Sequence, residues 1–471
     1  MQKIYPVDPH FGAYGGAASS SEDGLRGMVE PSVFEAEGRF YSLSTGNDER
    51  NCYDIRISTD LIHWSRAGTA PVEGLSALRC ALAALCGASQ EEFFLRSPFV
   101  RADERGGFCL YGSLCAADGR RAALFLARSE RAEGPYVFVG ELVLTDGRGS
   151  KTPAALDASV FSDGGRLYLV YGRGAGGVRL LELDADSGLR ADGRTRTAFD
   201  GGECAREDDY YGIRLLRVSD ASAPAVIVAD VPVYPRGFAF GRDGGKPVRV
   251  RECHLVATVG NSLRVWTAPA ARKLRPAGGG GGVKLCGACA RTDEDSVQGF
   301  SSFSRGRVLH TSDGRDLLLC NASPCSEEEG GADGAERTDL FPALLAFNAD
   351  GAPVVSLNRY AGERMRPVGS EELAGTAFDF VRLSRGEGCA HAREGLLLEE
   401  DGTVTVEKRR CGRWKCFGEN YVDIELEGEF YRGVAMPAEA CGVTVSALSG
   451  QGLPLFLRRA HFARDNNINI K

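Results

Sequence analysis

The sequence predicts an all-β protein: a five-bladed β-propeller over residues 1–365, then a small β-barrel or β-sandwich domain over 366–471. Three observations carry this prediction. Short alternating runs bounded by Gly and Asp recur from end to end, and 61 of the 471 residues are glycine, a pattern of strands joined by tight turns. The runs group into copies with a period of roughly 60 residues, long enough for a whole small sheet per copy. After residue 366 the repeat stops and a separate set of short strands begins.

The first copy pairs SVFEAEGRFYSLST (32–45) with DIRISTDLIHWSRAG (54–68), and the second pairs SPFVRADERGGFCLYGS (97–113) with AALFLARSERAEGPYVFVG (122–140). DASVFSDGGRLYLVYG (157–172) with GGVRLLELDADSGL (176–189) makes the third. The fourth runs through FAFGRDGGKPVRVRECHLVATVG (238–260) and SLRVWTAPA (262–270). SSFSRGRVLHTSDGRDLLLCNAS (301–323) and LFPALLAFNADGAPVVS (340–356) complete the set. In the tail, EEDG and LEGE are hairpin turns between alternating strands.

Composition narrows the function. The net charge is −8 with no long Lys/Arg block, which argues against a nucleic-acid or anionic-membrane partner. No apolar stretch is long enough to span a bilayer. The N-terminus, MQKIYPVDPHFGAYGG, has no apolar core of a secretory signal, and fifteen cysteines without repeated spacing fit reduced thiols. A cytoplasmic location is the expectation.

In a propeller the first strand of each blade lines the central channel, so residues at its start face a ligand. Glu30 in VEPSVF and Asp157 in LDASVF occupy equivalent places in copies one and three. Two carboxylates from different blades thus converge on one channel, the pairing that glycosidic bond hydrolysis uses.

Other signals have plainer readings. YGRGAGG (171–177) contains G-x-G-x-x-G but leads into the alternating VRLLELD, so it is a blade hairpin and not a dinucleotide loop. GGGGG (278–282) lacks the Lys-Ser/Thr of a phosphate cradle, and CGAC (286–289) lacks the further ligands of a zinc site. Trp64, Trp266 and Trp414 read as core. Tyr210, Tyr211 and Tyr234 are available for sugar stacking near the entrance of blade four.

These residues resemble glycoside hydrolase family 43, the five-bladed arabinanases and xylosidases, and in particular its two-domain endo-arabinanase branch. EPSVFEAEGRFYSLST is similar to the family's opening of blade one, ISTDLIHW to its S-x-D-L-x-x-W segment, and SERAEGPY to its S-x-x-x-x-G-P-Y element. LDASVFSDGGRLYLVYG and ADGAPVVSLNRYAGE (349–363) resemble two further elements, and GRWKCFGENYVDIELEGEFYRGVAM resembles that branch's C-terminal β-barrel. The resemblance implies an inverting hydrolase of arabinose- or xylose-containing plant polysaccharide, with an oligosaccharide or polysaccharide as its partner. A catalytically impaired sugar binder on the same scaffold is the alternative.

By resemblance, Glu30 takes the general-base position, normally Asp, and Asp157 the position that tunes the acid's pKa. The general acid, a Glu in an E-G-P segment, falls at Ser222 or at Arg236 according to placement, and neither residue protonates a glycosidic oxygen near neutral pH. Glu203, Glu207 and Glu252 are the remaining candidates. The family's channel calcium has a His anchor whose position is Phe300 here, so no cofactor and no metal-ligating residue is expected, with a family-type calcium left open by the resemblance.

Overall fold

The computed structural model describes residues 28–46, 51–148, 153–173, 177–192, 209–210, 213–216, 221–234, 247–274, 282–293, 296–324, 339–358, 360–386, 388–438 and 442–459. Glu203, Glu207, Tyr211 and Arg236 lie outside these residues, as does the side chain of Tyr210.

Strands dominate because short apolar runs alternate with turn residues rather than repeating at helical spacing. Blade one is an antiparallel meander of Ser32–Ala36, Arg39–Ser44, Cys52–Ser58 and Trp64–Glu73. Blade two repeats it with Phe93–Ala102, Phe108–Ala116, Arg121–Ser129 and Tyr136–Asp146. The outer strands of these two blades join through the parallel pairs Val72↔Tyr136 and Glu73↔Val137. Blade three is built on Ser159–Asp163, Arg166–Tyr171 and Arg179–Leu183, with Ile213–Leu215 outside them. Blade four comprises Ala221–Val233, Val248–Val259, Ser262–Ala268 and Val283–Cys286, and blade five runs from Ser296–His310 through Asp316–Pro324 and Asp339–Phe347 to Pro353–Val355.

Blade four corrects the sequence alignment. Its inner strand is Ala221–Val233, ahead of residue 238 where the sequence places the start of the copy, and Val248–Val259 is its second strand. Pro224 and Pro232 hide the inner strand, because proline normally argues against a paired strand. Helix Ser76–Cys86 is a further addition between blades one and two. It seats Leu78 and Leu82 in the blade core and ends at Gly87 in the left-handed region.

The C-terminal strands close into an eight-stranded barrel, Thr376–Arg382 pairing with both Arg393–Leu398 and Pro454–Arg459. Period-two alternation sorts its side chains. Phe378, Phe380, Ile424, Ala435, Val445 and Leu457 fill the interior. Val381, Val434, Met436, Leu448 and Phe456 share a core with propeller residues such as Val354, Val355 and Leu357. Polar groups reinforce this seam: Ser446 Oγ donates to the Val355 carbonyl at 2.8 Å, and Arg432 Nη1 meets Asp350 Oδ1 at 2.6 Å. Trp64 and Trp414 are buried as expected and Trp266 partly so. Tyr234 packs edge-on against Phe417 and Tyr421 of the barrel, which makes it a seam residue instead of a sugar platform. None of the described helices is long and apolar enough to cross a membrane, and the described cysteines are free thiols.

Candidate functional site

One backbone device recurs at the head of every inner strand. Glu30, Ser97, Asp157, Ala223 and Arg305 all sit in the left-handed region, with φ of 56°, 46°, 59°, 48° and 58°. In blades two, four and five the ladder slips at this residue, between Arg96 and Phe99, Ser222 and Ala225, and Ser304 and Arg307. A β-bulge of this kind re-aims a side chain that would otherwise stand on a sheet face. Left-handed backbone is costly for a residue with a Cβ, so its recurrence in all five blades marks a constrained functional position.

Four of these side chains meet, and Ala223 joins them through its backbone amide. Glu30 Oε2 accepts hydrogen bonds from Thr45 Oγ1 at 2.7 Å, the Ser97 amide at 2.7 Å and Ser97 Oγ at 2.9 Å. Its Oε1 is held by Arg305 Nη2 at 2.7 Å and Arg173 Nη2 at 3.1 Å. Asp157 Oδ1 contacts Ser97 Oγ at 2.7 Å, Arg173 Nη2 at 2.9 Å and Arg305 Nη1 at 2.9 Å. Its Oδ2 accepts from Arg173 Nε at 2.9 Å and from the Ala223 amide at 3.3 Å. Arg173 is launched from the blade-three hairpin after Gly172, whose φ of 131° and near approach to the Gly177 carbonyl, 2.4 Å from where a Cβ would stand, demand glycine.

The electrostatics follow from this clamp. Burial alone would raise the Glu30 carboxyl, but Arg305 and Arg173, helped by the Thr45 hydroxyl, outweigh it even against the Asp157 charge, and the group is lowered to about 2. Asp157 is fully buried, which also works against its charge, yet Arg173, Arg305 and the Ser97 hydroxyl hold it well below the ordinary carboxylate range. Asp157 in turn raises Arg173 far above its usual value, with burial opposing. Both carboxylates are therefore anions at any physiological pH, and neither has a proton to give. Their nearest oxygens share one hydroxyl within 2.9 Å. They thus lie under about 6 Å apart, a base position and a tuning position in contact through that hydroxyl, and neither is the acid of an inverting pair.

The acid position is equally informative. Ser222 lies in the inner strand of blade four, paired with Thr258 and bridged to Arg173, and Ala223 beside it occupies the left-handed slot. Glu252 pairs with Ala229, seven residues beyond Ser222, about 20 Å along the strand at ~3.3 Å per residue. Burial raises its carboxyl, and its oxygen lies 3.8 Å from His254 Nε2, set apart from the Glu30–Asp157 pair. Phe300 is buried among Phe303 and Phe341. With an aromatic cluster there and guanidinium groups in the channel, the residues present do not fit a family-type calcium ion. Among the described residues no cluster of three metal-ligating side chains occurs.

Sequence reasoning found Glu30 and Asp157 through their shared V/L-acid-P/A-S-V-F context. It missed Ser97, Thr45, Arg173 and Arg305. A signal for two of these existed: EPSV, SPFV, DASV, APAV and RGRV align as one motif once the bulge is known.

Comparison with known proteins agrees with this architecture. Residues 27–211 match the model of glycosyl hydrolases family 43, and residues 357–457 match the C-terminal lipocalin-like domain that accompanies it. Both domains of the chain thus match models of glycoside hydrolase family 43. Among curated relatives of this family, the extracellular endo-alpha-(1->5)-L-arabinanase 2 of Bacillus subtilis is 25% identical over 364 residues, 70% of each chain. The extracellular endo-alpha-(1->5)-L-arabinanase of Thermotoga petrophila is 24% identical over 91% of this chain and 92% of its own. The crystal structure of a Thermotoga petrophila endo-1,5-alpha-L-arabinanase with TRIS superposes with a TM-score of 0.69 at 19% identity, covering 93% of this chain and 99% of that one. The family 43 fold is thus common to both, two domains included.

Proposed function

We propose that this chain is a carbohydrate-binding member of family 43 whose hydrolytic apparatus is disabled, and that its axial site holds arabinose- or xylose-containing oligosaccharides of plant polysaccharide without cleaving them. The observation that carries this reading is the occupancy of the two carboxylates. All four of their oxygens are engaged, by Thr45, Ser97, the Ala223 amide and the two arginines. A general base needs a lone pair directed at water and a pKa near the working pH. Glu30, lowered to about 2, offers neither.

An inverting hydrolase is the second reading, favoured by a carboxylate at both the base and the tuning position and by the names of the arabinanase relatives. In that reading the acid would come from Glu203 or Glu207. The deciding experiment measures sugar release from nitrophenyl glycosides and from arabino- and xylo-oligosaccharides, alongside calorimetric binding of the same oligosaccharides. The binder reading expects saturable binding with no release above buffer. Release that vanishes in Glu30→Gln while binding persists would overturn it in favour of the hydrolase, and absence of any binding would defeat both.

A further inference from the structure

The axial site carries more positive charge than its carboxylates neutralise. Beyond Arg173 and Arg305, Arg307 enters from blade five, two residues after the left-handed slot. It is 8% exposed, its Nη1 donates to the Pro224 carbonyl at 3.2 Å, and its guanidinium lies 5.6 Å from the centre of the Phe99 ring. Among the described residues no carboxylate lies within ion-pair distance of it. Burial accordingly lowers it to about 10, the Asp157 and Glu30 charges opposing only in part. Arg96, immediately before Ser97, is exposed and likewise has no acidic partner among the described residues. Three arginines, Arg173, Arg305 and Arg307, thus act on two carboxylates, in a chain with 56 basic against 64 acidic residues.

A buried guanidinium without a counter-ion is expensive to keep, and a bound anion removes that cost. The fork of an arginine matches a carboxylate in two-point geometry, and stacking of Arg307 on Phe99 holds its fork in place. The Arg173 and Arg305 side chains, 32% and 23% exposed, keep the positive face open to solvent while Glu30 and Asp157 lie behind it.

We propose that the axial site selects saccharides bearing a carboxylate, that is, uronic-acid-substituted oligosaccharides, over neutral ones of the same length. The uronate sits against the Arg305–Arg307 side of the channel, where the charge surplus lies. This rests on the carbohydrate-binding reading above and specifies the sugar class.

The test titrates the full chain with matched neutral and glucuronic- or galacturonic-acid-bearing xylo- and arabino-oligosaccharides at low and high salt, with inorganic phosphate as a competitor. The charged sugars should bind about tenfold more tightly, the scale of one charge-assisted hydrogen bond, and the preference should shrink with salt. Arg307→Met should abolish the preference and Arg307→Lys should keep part of it. Arg96→Ala, an exposed site that spares the fold, should reduce the preference and its salt dependence. Equal affinity for neutral and charged sugars overturns the uronate proposal and leaves the binder reading intact. Displacement by phosphate as readily as by uronate also overturns it, by showing a plain anion site. If no saccharide binds, both readings fall.

Discussion

Glu30 accepts hydrogen bonds from Thr45 and twice from Ser97 and meets two guanidinium groups, and a carboxylate so engaged behaves as a structural anion. Its lowered folded pKa gives a definite pH signature. The unfolded group titrates near 4.5 and the folded one near 2, so the native state releases its proton first. The stability this contributes is fully present above about pH 4.5 and is lost as the pH falls towards 2, with Asp157 acting in the same direction. Glu30→Gln should therefore flatten the acid limb of urea unfolding between those values. At neutral pH it should cost about 1.5–3 kcal/mol, because the half-buried Arg173 and Arg305 lose one of the two carboxylates they share. Arg305→Met should raise the Glu30 carboxyl, visible as an acid limb displaced to higher pH. Glu30 and Asp157 were legible because both are acids in one repeated context. Ser97, Ala223 and Arg305 share with them a backbone angle and a valine three residues on, a context too thin to single out before the bulge is seen.

At the scale of the element, the bulge at the head of the inner strands delivers side chains to the axis. Ala223 tests it cleanly, since its φ of 48° is tolerated by glycine and nearly forbidden to a β-branched residue. Ala223→Gly should leave thermal stability close to that of the parent chain, because relief of left-handed strain and loss of a buried methyl are each about 1 kcal/mol and oppose one another. Ala223→Val should cost about 2 kcal/mol or more, read as a lowered melting temperature. The same bulge explains what the sequence concealed. ASAPAVIVADVPV carries a proline at the bulge and another near its end, so a propensity argument rejects the strand that holds blade four together. The barrel was easier to read, because EEDG and LEGE connect strands of regular alternation, and Glu427 and Gly428 take the left-handed angles that such a turn requires.

For the molecule as a whole, propeller and barrel should answer acid with opposite signs. On the barrel face turned to the propeller, Asp423 is fully buried, neither oxygen has a hydrogen bond, and Arg432 Nε stands off at 3.5 Å. Burial raises its carboxyl to about 6, with Arg432 and Lys415 opposing. Because the folded pKa exceeds the unfolded 3.8, the native state binds the extra proton. Its penalty is complete above about pH 6 and is relieved as the pH falls towards 4. Asp423→Asn should raise the barrel's melting temperature at pH 7 and change it little at pH 4, as two-probe calorimetry and near-UV dichroism would show.

The ring of left-handed posts has a consequence for how such a molecule changes occupation. Each sheet supplies one tool to a common bench from its own anchorage, so swapping a tool leaves the other four mounts undisturbed. An acid grafted at residue 222 or 223, with the two guanidinium clasps taken away, would re-equip the bench without rebuilding the workshop.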